Sequence, residues 1–159
     1  MKPLAALLFL VPVPAAANCI PPWQTHFSCS IPERDAQVEF CRIADTDAHP
    51  GKKEGYYTYV VGTEPAELYF ETDLIGFSVK DTNIDHPTDL TMAMGYLRGD
   101  WVYAFVITQD SRLDDRVRDA EVRVYKSFDE FSNDDKDVEE VRLYCDSQSI
   151  IANQWLIGP

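Results

Sequence analysis

Apolar and polar positions alternate with a period of two along most of this chain, the spacing that half-buried strands require. Leu68 and Phe70 fall on one side of a strand over 66–72, while Glu67, Tyr69 and Glu71 fall on the other. Before it, Gly55-Tyr56-Tyr57-Thr58-Tyr59-Val60-Val61-Gly62 has the aromatic and β-branched composition of a strand. Thr25 to Ile31 and Gln37 to Ile43 predict a first hairpin, with Val38 and Phe40 sharing a face. Phe77 to Lys80 predicts a short strand. Leu90, Met92, Met94 and Tyr96 then lead into a hairpin that turns at Arg98-Gly99-Asp100. Trp101 to Thr108 is apolar or aromatic on both faces, which places it in the middle of a sheet and covered on both sides. Ala120 to Ser127, with Val122 and Val124 inward, and Val138 to Cys145, with Val141, Leu143 and Cys145 inward, complete the series. Phe128 and Phe131 are expected to cap an edge of the core, and Asp146 to Trp155 is expected to form a short C-terminal helix. About eight or nine short strands with turns between them define an all-β fold, an antiparallel β-sandwich or barrel.

The first residues change the picture of where this fold works. Lys2, the apolar run from Leu4 to Val13 and Ala15-Ala16-Ala17 have the three parts of a secretory signal peptide over 1–17. The run is too short to span a bilayer. Removing 17 of the 159 residues leaves 142, read as one β-domain over 18–159. The predicted location is periplasmic or secreted. Cys19, Cys29, Cys41 and Cys145 all lie in that domain, and an even count in an exported chain predicts two disulfides. Three pairings are open. One joins Cys29 to Cys41 across the first hairpin and Cys19 to Cys145. The preferred one joins Cys19 to Cys29 and Cys41 to Cys145, because Cys41 and Cys145 sit in similar local patterns.

Charge narrows the partners. The chain has 14 basic and 27 acidic residues, a net charge of −13, and loss of Lys2 makes this −14. Phosphate neutralisation needs clustered Lys and Arg, so no nucleic acid is expected. A basic protein is the expected partner, met at a rate that falls with salt.

Catalytic signatures are missing. His26, His49 and His86 are scattered, and neither a Gly-x-Ser-x-Gly elbow nor a His-Glu-x-x-His pair occurs. The expectation is a non-catalytic domain without a cofactor. One partial cation loop exists: Asp81, Asn83 and Asp85 stand at the first, third and fifth positions of a calcium loop, and Asp89 at the ninth. The sixth position is His86 rather than Gly, Pro87 follows, and Met92 stands where a bidentate Glu is needed. Calcium bound there would raise the melting temperature relative to chelator. Arg98-Gly99-Asp100 also spells an adhesion tripeptide, but its physical role is a strand-connecting turn. The aromatic surplus says more. Tyrosines along so many strands exceed what one small core buries, and Tyr56, Tyr69, Tyr96 and Tyr125 are the expected exposed binding residues.

The order of landmarks resembles a group of small exported, mostly uncharacterised all-β proteins of Gram-negative bacteria. The carriers are Phe27-Ser28-Cys29 with Phe40-Cys41, Tyr57-Thr58-Tyr59-Val60-Val61-Gly62 with Glu67-Leu68, Gly99 to Tyr103, Val122-Arg123-Val124 and Leu143-Tyr144-Cys145. The resemblance implies an envelope location and an all-β fold, and no activity. More loosely the chain resembles periplasmic lysozyme inhibitors, which are small disulfide-bonded β-domains facing a basic enzyme. It has no Ser-Gly-x-x-Tyr segment of the kind they insert into the lysozyme cleft. The leading expectation is a binding domain that acts on a basic protein as an inhibitor or immunity-type factor. A small-ligand or calcium-binding domain and an envelope structural protein are the alternatives.

Overall fold

In a computed structural model the described residues form ten strands in two antiparallel five-stranded sheets. The structure describes residues 19–63, 65–80, 89–110, 117–133 and 139–153. The first sheet has the order β10-β1-β2-β3-β4, built from β1 (Gln24–Ile31), β2 (Ala36–Arg42), β3 (Gly55–Val61), β4 (Leu68–Thr72) and β10 (Ile151–Ala152). The second has the order β5-β6-β7-β8-β9, from β5 (Ile75–Lys80), β6 (Asp89–Arg98), β7 (Trp101–Asp110), β8 (Val117–Tyr125) and β9 (Val141–Tyr144). The chain meanders through β1–β4, changes sheet at Asp73-Leu74, meanders through β5–β9, and returns to pair β10 with β1. Of the two architectures expected, this is the sandwich.

The period-two pattern fills the space between the sheets. Phe27 of β1 stacks on Phe105 of β7 with ring centroids 4.7 Å apart, and Phe40 of β2 meets Phe105 and Tyr96 edge-on at 4.9 and 5.1 Å. Tyr57, Phe70 and Tyr103 continue the aromatic contacts towards β4. Each such ring contributes about 1.5–3 kcal/mol by burial. The second sheet is covered on its outer face as well. A short helix, α1 (Phe128–Asn133), lays Phe131 on Ala93, Val102, Ala104, Val106 and Tyr125. Gly95 permits that approach, because a Cβ there would stand 2.3 Å from Val102 Cγ1 and 3.3 Å from Phe131. Burial of Val102, Ala104 and Val106 on one face, with Phe105 and Ile107 on the other, explains why Trp101–Thr108 reads as apolar throughout.

The β6–β7 turn falls at Gly99-Asp100, with Arg98 opposite Trp101. Gly99 has φ +61° and nothing within 4 Å of an added Cβ. Gly99→Ala is therefore expected to cost about 1 kcal/mol from backbone strain alone. Chemical denaturation checks this; no change would mean that the turn relaxes into another type.

Three expectations are corrected. The disulfides are Cys19–Cys41 and Cys29–Cys145, the pairing that neither argued alternative contained. Cys29 and Cys41 lie on opposite faces of the first hairpin: Cys29 faces the core, while Cys41 faces outward under the N-terminal segment. Asp146 to Asn153 is not a helix. Asp146 N–H donates to Ser30 O, Ser30 N–H to Ser149 Oγ, and Asn153 N–H to His26 O, which ties a turn and β10 onto β1. Trp155 and Leu156 lie outside the described residues. Val141 is exposed rather than inward, because it is the first residue of the edge strand β9; Leu143, two residues further in, is buried.

Candidate functional site

Three of the four candidate tyrosines are not at the surface. Tyr96 points between the sheets and is fully buried. Tyr125 lies beneath Phe131 of α1, with ring centroids 5.6 Å apart. Tyr56 is on the outer face of the first sheet, but residues 19–23 cross over it. Trp23 packs edge-on against its ring at 5.3 Å, and Ile20 N–H donates to its hydroxyl at 2.9 Å. The Cys19–Cys41 bridge fastens that segment. Tyr56 and Tyr125 are covered by elements that period-two alternation does not encode, whereas Tyr96 lies on the inward side of β6 with Met92 and Met94. Tyr69 alone of the four is exposed, at 49%.

Tyr69 stands in an acidic row. Glu67, Tyr69 and Glu71 share the outward side of β4 and its approach, and Asp73 follows at the same spacing. The Tyr69 hydroxyl donates to Glu71 Oε1 at 2.7 Å. Desolvation and that carboxylate push the phenol up to about 12, so it is a neutral hydrogen-bonding group at any physiological pH. Lys53 pairs with Asp73, which is also bonded by the Glu54 N–H; the lysine partner, above all, holds the Asp73 carboxyl below its ordinary range. Other cations are similarly engaged. Arg42 pairs with Glu54 at 2.6 Å, Arg123 with Glu121 at 2.7 Å, Lys126 with Glu140 and Arg142 with Glu139. Lys52 lies over the Trp23 ring and Arg98 over Phe70.

A second cluster was not legible in the sequence. A register shift between Thr25 and Phe27 turns His26 into the core, 2.9 Å from the Tyr96 hydroxyl through Nδ1 and edge-on to Phe105. The pair joins the two sheets by a buried hydrogen bond. Nε2 is buried with no partner among the described residues. Burial first, and the Arg42 guanidinium second, push the imidazole down to about 4, so His26 is neutral at pH 7. A cleft of about 100 Å³ lies beside it, lined by Gln24, Thr25, Arg42, Ile43, Ala44 and Asn153.

Metal chemistry finds little purchase among the described residues. Cys19, Glu39 and Cys41 approach within 4.8 Å of one another, but the two sulfurs are bonded to each other and the thiolate is the metal-binding form. The calcium-loop residues Asp81, Asn83 and Asp85 lie outside the described residues, as does the side chain of Asp89. Two disulfides fit a chain that folds in an oxidising compartment outside the cytoplasm, and no described helix is long and apolar enough to cross a membrane. No family model, curated protein or solved structure matches the chain.

Proposed function

We propose that the chain is a non-catalytic binding domain, periplasmic or secreted, that engages a basic protein as an inhibitor or immunity-type factor. One observation carries this reading. A chain of net charge −13 draws Arg42, Lys53, Arg123, Lys126 and Arg142 into ion pairs with its own acids, while Glu67 and Glu71 face solvent beside the exposed Tyr69. Its field therefore favours cationic partners, and such encounter rates fall as salt screens them. The tagged protein, immobilised and exposed to an envelope extract, is expected to retain a basic protein at low ionic strength. About 0.5 M salt, where the Debye length is only a few ångströms, is expected to release it. Mass spectrometry identifies what is eluted. Retention of no basic protein at either salt would sink the reading.

A further inference from the structure

We propose that the open edge of β4 is a docking edge, to which an extended segment of the partner adds as a further strand, alternating Lys or Arg with apolar residues. The inference rests on the basic-partner reading and narrows it to one place and one sequence pattern.

β4 is the terminal strand of its sheet, and among the described residues no strand pairs with its far side. A terminal strand presents unpaired backbone groups, and proteins that do not use such an edge blunt it with charge, above all Lys, with Pro, with a bulge or by making it very short. Leu68-Tyr69-Phe70-Glu71-Thr72 has no Lys, Pro or bulge, its one charge is an acid that attracts a basic strand, and its register with β3 is unbroken from Tyr59↔Leu68 to Gly55↔Thr72. The edge strand is five residues long. Strand addition uses an edge of this kind: the backbone supplies affinity, and alternate side chains supply specificity.

The two sides of that edge differ in chemistry. Outward lie Glu67, Tyr69 and Glu71, with the Tyr69 ring braced at 5.5 Å on Tyr56. Directly opposed residues of adjacent strands hold their Cβ atoms about 4.5–5.5 Å apart. Lys or Arg at every second position of an added strand therefore meets a carboxylate, or the face of Tyr69. On the inner side, Phe70 of β4 lies beneath the Arg98 guanidinium, and Phe77 of the other sheet, which opposes the core residue Met94, is left 52% exposed. The other set of side chains on an added strand falls on this inner side, where an apolar residue covers Phe77. The period-two partner pattern, basic outward and apolar inward, follows from these two surfaces together.

The test uses the folded, oxidised protein and two capped peptides of equal length and charge, one alternating Lys with Val and one alternating Lys with Pro. The Lys–Val peptide is expected to bind at low salt and to slow hydrogen exchange of the β4 amides. The Lys–Pro peptide lacks half of the backbone donors and is expected to do neither. Glu67→Lys combined with Glu71→Lys is expected to weaken Lys–Val binding by about tenfold or more. Glu33→Lys combined with Asp129→Lys makes the same change in net charge on other exposed elements, and is expected to stay within about twofold. Equal binding of both peptides, protection away from β4, equal weakening by the two double variants, or no binding at all overturns the docking edge. Any of these can occur while a basic protein is still retained from the extract. Conversely, peptide binding with the predicted β4 protection but no basic protein retained would overturn the function and leave the edge standing.

Discussion

Replacing Cys29 and Cys145 together by Ala is expected to lower stability by about 5 kcal/mol, enough to bring a domain of ordinary stability close to unfolding at room temperature. The bridge closes a loop with a sequence separation of 116, and in the chain-entropy picture that length removes the most freedom from the unfolded chain. Its place in the fold reinforces the effect. Cys29 lies in β1 of the first sheet, and Cys145 immediately follows β9 of the second, so the bond clamps the two layers on the side where the chain passes from β9 to β10. The other bridge, Cys19–Cys41, has a separation of only 22 and fastens residues 19–23 over Tyr56. Its removal is expected to cost about 3 kcal/mol and to uncover Tyr56 while the core stays closed. Guanidinium denaturation of the two double variants, followed by far-UV circular dichroism, separates these cases. Equal losses, or a Cys29/Cys145 variant as stable as the wild type, would show that the long bridge is not the clamp between the layers.

The disulfides also show where sequence reading stops. Strand type and turn position follow from local chemistry: Gly99 supplies the positive φ of the β6–β7 turn, and alternation in 66–72 places Phe70 in the core and Tyr69 outside it. Pairing between Cys29 and Cys145 depends instead on β1 coming to lie beside a chain segment more than a hundred residues away, which no local pattern encodes. The same distance hides β10: Ile150-Ile151 with a capping Asp146 looks helical until β1 offers it a ladder. Two of the four candidate tyrosines, Tyr56 and Tyr125, are buried for a related reason. Composition shows a surplus of rings over one core, yet the described residues form three apolar clusters, with α1 and the N-terminal segment roofing the outer faces of the sheets, while Tyr96 is taken up by the core between them. The row that survives, Glu67-Tyr69-Glu71, was visible as an alternation. What was not visible is that β4 ends its sheet, which turns an ordinary wet face into the border of an open edge.

His26 had no sequence signal, because one bulge residue decides which way it points, and its burial leads to the second large effect. Stability is expected to fall by about 3 kcal/mol as pH drops from 6.5 to 4, in excess of whatever the carboxylates contribute. Folded His26 is pushed down to about 4, while in the unfolded chain it titrates at its ordinary value of 6.5. Between those values the unfolded chain takes up a proton that the folded chain does not. Stability is therefore complete above pH 6.5, declines through the interval, and levels off below about 4. The cause is geometric. Protonation would place two N–H donors in the core, where Nδ1 meets the Tyr96 hydroxyl but buried Nε2 has no partner among the described residues, and the Arg42 charge opposes a second cation. His26→Gln cannot titrate, yet it can still accept a hydrogen bond from Tyr96. It is expected to be less stable at pH 7 and to lose less between pH 6.5 and 4, so that the two curves converge as the pH falls. Denaturation midpoints measured across that interval decide the matter: curves that stay parallel would mean that the folded imidazole titrates normally and that the bond between His26 and Tyr96 does not hold the sheets together as a neutral pair.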